Sequence, residues 1–229
     1  MLVAPLISAL GLVAASIGIV TGVPQALRLL RSPDASGLSY PSTVLGVLGA
    51  GTWLTYGLML LDPAQLVANV PGLACAVLTA VLAARRLGVR PGPTLLAVGA
   101  WSAAVAVTAV VAGATAVGVA ATVVSLVRMV PQVRTVLSSG APLNGLAPAG
   151  FALTQLSALL WTVYGAATSQ ESVVVCSLVS ALLAGVVLSR RCPPRHLVHV
   201  LHHGRWGDAG RALVRPVAAW GRPAACVVL

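Results

Sequence analysis

The sequence has too few charged residues to cover the surface of a water-soluble domain. Of its 229 residues, 8% are charged and 58% are hydrophobic, whereas roughly a quarter of a soluble domain is charged. Most of the chain instead falls into apolar runs of about 20 residues, the length of a helix that crosses a hydrocarbon core of about 30 Å. Backbone groups inside that core must be satisfied within their own segment, so the runs are expected to be helices. The composition therefore predicts an all-α membrane protein.

Lysine is absent, and all fourteen basic residues, which give a net charge of +10, are arginines. They lie in short connections and in the C-terminal tail, without the interleaved aromatic residues of a nucleic-acid-binding stripe. Every second connection is basic, as cytoplasmic loops are, so we expect an N-terminus outside and a C-terminus in the cytoplasm. The basic tail favours contact with anionic lipid headgroups. Abundant Ala, Val, Gly and Arg without Lys indicates a GC-rich bacterial coding sequence, and hence the plasma (inner) membrane.

Acidic residues and cysteines are almost as scarce, and their positions argue against proton coupling, metal binding and catalysis. The four acidic residues lie in connections or in the tail: Asp34, Asp62, Glu171 and Asp208. A proton relay needs a titrating group deep inside a span, and none is found there. The four cysteines have no CxxC or metal-type spacing, and no nucleophile–base pair appears. We expect no enzyme, no metal and no cofactor.

Seven apolar runs are predicted to cross the membrane. The first lacks the basic start and the cleavage site of a secretory signal, so we expect it to be retained as a span. Several glycines within the runs are expected to let helices approach closely; they are Gly46, Gly49, Gly51, Gly113 and Gly118. The predicted spans are Pro5–Leu30, Ser42–Leu61, Pro63–Ala84, Pro93–Val111, Thr115–Leu137, Leu146–Thr168 and Ser172–Leu188.

The sequence contains an internal repeat. Val23-Pro24-Gln25 recurs as Val130-Pro131-Gln132, 107 positions later, and the Trp53–Gly57 element WLTYG recurs at Trp161–Gly165 as WTVYG, 108 positions later. Several landmarks at nearly one offset indicate a duplicated unit. Each copy holds three spans, and the fourth span joins them. Because three spans reverse the chain direction, the joining span makes the two copies parallel in the membrane.

These residues resemble the PQ-loop superfamily, and in particular the SWEET sugar transporters and their half-size bacterial relatives, the SemiSWEETs. The resemblance covers roughly residues 5–190. It implies two parallel three-helix bundles joined by a linker helix around a central cavity, with alternating access and no energy coupling. The implied divisions are a first three-helix repeat (1–88), a linker helix (89–113), a second repeat (114–190) and a basic cytoplasmic tail (191–229).

The resemblance also implies a substrate-binding pocket built from aromatic and amide side chains. Trp53 and Trp161 lie mid-span rather than at an interface, where Trp usually gathers, and an aromatic face suits the C–H face of a sugar. Asn69 lies sixteen residues after Trp53 on the returning span, at a similar depth, and this spacing is similar to the Trp/Asn pair of SemiSWEET pockets. The corresponding residue of the second repeat is Ser177, which departs from the family's paired asparagines.

Hinges and gates are implied in the same way. Pro24 and Pro131 lie inside apolar helices, where proline removes a backbone hydrogen bond and creates a kink. Pro41 and Pro148 open the following spans, where a simple helix-start role explains them equally well. Together the four look like the family's proline tetrad near the cytosolic face. Two tyrosines, one turn beyond each Trp, look like extracellular-gate residues, while anchoring at the membrane interface explains them equally well. The predicted hinge and gate residues are Pro24, Gln25, Pro41, Tyr56, Pro131, Gln132, Pro148 and Tyr164.

The sequence therefore predicts facilitated diffusion of a small polar solute, with a mono- or disaccharide favoured. Arg128, about two turns inside the fifth span, either snorkels to the headgroups or lines the inner vestibule. In the second case it would favour an anionic or zwitterionic solute, so an amino-acid or organic-anion carrier is one alternative. A non-transporting receptor or scaffold that reuses the fold is the other. A homo-oligomer is compatible with the sequence.

Overall fold

A computed structural model describes residues 3–31, 40–138 and 148–191, and almost all of these are helical. In chain order the helices are α1 (Val3–Arg31), α2 (Tyr40–Leu60), α3 (Pro63–Leu87), α4 (Pro91–Ser138), α5 (Pro148–Ala167) and α6 (Glu171–Arg191). Helix α4 is broken at Gly113, whose φ of 76° and ψ of −174° are not helical. Glycine adopts such a positive φ without steric cost. The break divides α4 into residues 91–112 and 114–138, so the all-α prediction with seven helical segments is confirmed.

The helices are long and apolar enough for a membrane protein. Five of them contain candidate membrane spans, and the stretch Pro91–Val130 is 40 residues long, about twice what one crossing needs. It contains the predicted fourth span and most of the fifth, with the Gly113 break between them. The remaining helix, α5, has a shorter apolar stretch at Phe151–Ala167. The predicted connections at 32–39 and 139–147, and the tail from residue 192, lie outside the described residues.

The helix contacts close into a ring in the order α1, α3, α2, α4, α6, α5 and back to α1. Within the ring, α1 contacts α5 and α2 contacts α4. These two contacts join the predicted first repeat to the part of the chain that follows it. We call them the α1–α5 and α2–α4 interfaces.

The repeat seen in the sequence reappears in the backbone. The turns that follow α2 and α5 each contain a residue with left-handed φ, Leu61 at 51° and Ser169 at 57°. The next residue closes the turn in each copy: the Asp62 amide donates to the Gly57 carbonyl at 3.0 Å, and the Gln170 amide to the Gly165 carbonyl at 2.8 Å. Leu61 and Ser169 share little chemistry, so the turn follows from the common backbone path rather than from one residue type.

The first half of α4, the predicted linker, is fastened to α2. The Trp101 indole Nε1 donates to Thr52 Oγ1 at 3.0 Å, and the Tyr40 hydroxyl donates to Thr94 Oγ1 at 2.8 Å. Both bonds join side chains of helices that meet in an apolar setting, where an unpaired polar group is costly. No role for Trp101 was predicted from the sequence. In the structure it joins the first half of α4 to α2.

Candidate functional site

Two matching Trp–Tyr pairs lie on α2 and α5. Trp53 meets Tyr56 edge to face, with ring centroids 5.5 Å apart and planes at 89°, and Trp161 meets Tyr164 at 5.4 Å and 90°. The spacing of three residues puts each pair on one side of its helix, and edge-to-face packing is a favoured aromatic geometry. Both tryptophans also pack against one buried cluster, which contains Tyr56, Val105, Val117 and Val173. Trp53 and Trp161, together with Trp101, therefore border one apolar cluster.

The predicted polar partners lie at the depth of the tryptophans. A Cβ atom built on Gly57 would come within 2.7 Å of Gln65 Cβ, so α2 and α3 are closely apposed at this point. Trp53 lies one turn before Gly57 in α2, and Asn69 lies one turn after Gln65 in α3. Because the two helices are antiparallel, both steps lead in the same direction from the contact. In the second repeat, a Cβ atom built on Gly165 would come within 3.0 Å of Val173 Cγ1. Trp161 lies one turn before Gly165, and Ser177 lies one turn after Val173, so this pair is arranged in the same way.

The two tryptophans differ in their hydrogen bonds. Trp53 Nε1 donates to Ser125 Oγ at 2.9 Å across the α2–α4 interface. The position that corresponds to Ser125 in the first repeat is Gly18, which offers no side-chain acceptor. Among the described residues no hydrogen bond from Trp161 Nε1 is found. One indole is thus fixed by the neighbouring helix, while the other keeps its N–H for another partner.

Asn69 and Ser177 also differ in their hydrogen bonds, and again the residue of the first repeat is the one held by a neighbour. The Asn69 amide nitrogen Nδ2 donates to the Gln65 backbone carbonyl and to Gln65 Oε1, both at 2.9 Å. The counterpart of Gln65 in the second repeat is Val173, whose side chain has no atom that accepts a hydrogen bond. The departure from paired asparagines noted in the sequence therefore extends to the residue that holds the asparagine in place.

Asp62 links the two repeats at one end of the ring, which we call the Asp62 end. Its carboxylate caps α3 by accepting from the Ala64 and Gln65 amides, the usual role of Asp before a helix. The same carboxylate accepts from the Tyr164 hydroxyl at 2.8 Å and from Gln170 Nε2 at 2.6 Å. Asp62 is only 6% exposed. From its position in the sequence, Asp62 was expected in an ordinary connection between spans, and no pattern in the sequence predicts its contacts with Tyr164 and Gln170.

The two predicted gate tyrosines are buried at the same end, and each packs on a glycine of the other repeat. A Cβ atom on Gly11 would lie 2.5 Å from Tyr164 Cε2, and one on Gly118 would lie 2.8 Å from Tyr56 Cε2. Gly11 and Gly118 are 107 positions apart and correspond in the repeat. A tyrosine of each repeat therefore packs on a glycine of the other repeat, and these two contacts join the repeats at the Asp62 end.

The predicted hinge prolines are placed on helices, and their role stays a prediction. Pro41 is exposed at the second residue of α2, and Pro148 begins α5. The Pro24-Gln25 and Pro131-Gln132 pairs lie inside α1 and α4, and their side chains fall outside the described part of the chain. Proline also occurs inside α3 at Pro71, a position that the sequence analysis did not single out.

Arg128 lies on the second half of α4, beside α2. Its side chain is exposed, and its Nη1 atom is 3.3 Å from the position of a Cβ built on Gly46. The absent side chain at Gly46 therefore leaves room for the guanidinium. This position, one turn beyond Ser125, puts the charge at the α2–α4 interface.

Comparisons with known proteins agree with the resemblance inferred from the sequence. Residues 6–83, most of the predicted first repeat, match the family described as "Sugar efflux transporter for intercellular exchange". A relative named "Sugar transporter SWEET1" from Caenorhabditis elegans is 35% identical over 54 residues, which is 24% of this chain and 18% of the nematode protein. The aligned stretch is thus a small part of that relative. The resemblance to the SWEET-type PQ-loop proteins is confirmed, and it is carried by the first repeat.

Proposed function

We propose that this chain, a membrane protein with a first repeat of the SWEET type, transports a small polar solute by facilitated diffusion, with a mono- or disaccharide as the favoured solute. The observation that carries the proposal is the pair of matching Trp–Tyr units on α2 and α5. Asn69 and Ser177 lie at a similar level on the neighbouring helices, one turn from the close Gly57–Gln65 and Gly165–Val173 approaches. Aromatic faces for C–H groups and amide or hydroxyl groups for solute hydroxyls make a set suited to a sugar.

Alternating access is supported by the contacts that join the two repeats at the Asp62 end. The Asp62 end is sealed by hydrogen bonds and by tyrosine–glycine packing between repeats. We propose that the prolines of α1 and α4 act as hinges for opening and closing the opposite end of the ring. When that end closes, we expect the Asp62 end to open, with Tyr164 leaving Asp62 and Tyr56 leaving Gly118. The acidic residues of the described spans and turns are Asp62 and Glu171, both at helix ends. Neither position suits a proton relay through the middle of the ring, which favours uniport.

Flux into proteoliposomes tests the function. The solutes are radiolabelled glucose and sucrose, with an amino acid and an organic anion for the alternative functions. We expect saturable uptake of a sugar in the absence of a proton gradient. Uptake of the amino acid or the anion instead would favour the Arg128 alternative. No flux for any solute would favour a receptor or scaffold.

The pocket assignment predicts the effects of three substitutions. Trp53→Ala, Trp161→Ala and Asn69→Ala should each raise the KM for the transported sugar by several-fold to about tenfold, because a hydrogen bond or a stacking face contributes roughly 0.5–1.5 kcal/mol. Val110→Ala is the control: Val110 is 87% exposed on α4, so truncating its side chain should leave KM unchanged. Normal uptake by the double variant Trp53→Ala/Asn69→Ala, at confirmed expression, would contradict the assignment.

Orientation in the plasma membrane is a separate proposal, with the Asp62 end outside the cell. Asp62 is too buried for a labelling experiment, but the preceding Leu61 is 79% exposed. In a protein whose native cysteines are replaced by serine, Leu61→Cys should react with a membrane-impermeant maleimide added to intact cells. Arg90→Cys, in the exposed connection after α3, should react only after the cells are opened. The reverse pattern would overturn the orientation and the charge argument behind it.

A further inference from the structure

Three polar residues follow one side of α3, from the Asp62 end towards the level of the tryptophans. Asp62 accepts from the Gln65 backbone amide, and Gln65 in turn accepts from Asn69 through its carbonyl and its side chain. The spacings of three and four residues place all three on one helix face. Gln65 is 4% exposed, so packing holds its side chain in place. Asn69 is only partly buried.

The direction of the Asn69 amide is set by its two acceptors. A backbone carbonyl can only accept a hydrogen bond, so the Asn69 group that meets the Gln65 carbonyl must be the NH2 group and not the oxygen. Gln65 Oε1 takes a second hydrogen bond from the same nitrogen. An amide NH2 has two hydrogens, and both are therefore used inside α3. The Oδ1 atom is the part of Asn69 that remains available.

The second repeat has no such arrangement. Its corresponding residues are Gln170, Val173 and Ser177, and the valine interrupts the polar series. A serine hydroxyl rotates and can donate or accept. The two halves of the pocket therefore offer different groups, a fixed acceptor from the first repeat and an adaptable hydroxyl from the second.

We propose that Gln65 is a positioning residue that makes Asn69 an acceptor-only group, so that the solute must present a hydrogen-bond donor to the first repeat. This inference rests on the proposed function for the identity of the site, since it names what that site selects. A hydroxyl or an amine N–H satisfies it, whereas an ether oxygen or a carbonyl at the same position does not. Gln65 contacts Asn69 and not the solute.

The amide orientation can be tested without transport. Asn69 and Asn144 are the only asparagines of the sequence, so selective 15N-asparagine labelling gives two side-chain NH2 signals, which Asn144→Gln assigns. Both Asn69 side-chain protons should exchange with water at least about tenfold more slowly than those of asparagine in a short unstructured peptide, because both are hydrogen-bonded. Gln65→Leu, which removes one acceptor, should speed the exchange of one proton. Equal exchange in Gln65→Leu and in the unsubstituted protein would overturn the positioning role.

The selection can be tested with glucose analogues that compete with labelled glucose. At the hydroxyl that meets Asn69, the deoxy and fluoro analogues should both bind about three- to tenfold more weakly than glucose, because fluorine accepts but does not donate. Asn69→Leu identifies this hydroxyl, since it should abolish the penalty there and nowhere else. A fluoro analogue that binds like glucose while the deoxy analogue does not would show that Asn69 donates, and would overturn the proposal.

The two tests separate the inference from its premise. Slow exchange of both Asn69 protons, together with failure to transport any sugar, would contradict the proposed function while supporting the acceptor-only orientation. Fast exchange together with sugar transport would contradict the orientation while supporting the function. The first test needs no solute, and the second uses Asn69→Leu to attribute a contact with the sugar to Asn69.

Discussion

Gly11→Ala is expected to destabilise the protein strongly, although alanine is ordinarily the better helix residue by about 1 kcal/mol. The added Cβ would lie 2.5 Å from Tyr164 Cε2 and 2.7 Å from Ala64 Cβ. Ala64 has no flexible side chain that could move away, and the Tyr164 ring is held by its bond to Asp62. Helices must therefore shift, and overpacking of this kind costs typically 1–3 kcal/mol. Gly118→Ala should behave similarly, since its Cβ would lie 2.8 Å from both Ser172 Cβ and Tyr56 Cε2.

Matched controls lie in the same chain. Gly51 and Gly72 are helical glycines with no atom within 4 Å of an added Cβ, so Gly51→Ala and Gly72→Ala should leave stability unchanged or raise it slightly. The measurement is the melting temperature in detergent, followed as the loss of the monodisperse peak in size-exclusion chromatography. If Gly11→Ala and Gly51→Ala melted at the same temperature, the tyrosine–glycine packing would not hold the Asp62 end together.

The general architecture could be predicted because it depends on length and repetition. Apolar runs of membrane-spanning length require helices whatever their detailed sequence, and the offset between the two WxxYG elements already placed the Trp–Tyr pairs at one depth. The break in α4 falls between two predicted spans, as expected from their separate lengths. Individual glycines were less predictable. Gly46, Gly49 and Gly118 do face another helix, but Gly51 contacts nothing and Gly113 breaks the helix.

The contacts that distinguish the two repeats could not be predicted from spacing. Asp62 follows a predicted span and precedes a proline, a pattern that normally indicates an exposed helix cap. Its burial depends on the Tyr164 and Gln170 side chains, which come from residues more than a hundred positions away. Likewise, a role for Gln65 follows only from its hydrogen bonds to the Asn69 amide, which the sequence does not show. Sequence identifies which residues correspond between repeats, but not which of them touch.

Asp62→Ala is expected to have the largest effect of any single substitution at the Asp62 end. It removes the α3 cap, which is worth about 1 kcal/mol, and leaves the Tyr164 hydroxyl and the Gln170 amide without their acceptor. Each buried group that loses its partner costs roughly 1–3 kcal/mol, so the loss of stability should be on the order of 3 kcal/mol or more. Because the carboxylate joins the two repeats, sugar uptake should also fall severely. Glu171→Gln, at the neighbouring but exposed acidic residue, is the control and should change neither stability nor uptake.

Asp62→Asn distinguishes the hydrogen bonds of this residue from its charge. The asparagine oxygen can still accept from the α3 amides and from Tyr164, and its NH2 group would then face Gln170. Gln170 Oε1 is buried without a partner in the described structure, so a turn of the Gln170 amide would let this oxygen accept from the new NH2 group. A buried carboxylate without a cation beside it is also costly to hold, and asparagine removes that cost. We therefore expect Asp62→Asn to melt and transport nearly as the unsubstituted protein does, whereas a loss as large as that of Asp62→Ala would show that the closed end depends on the negative charge.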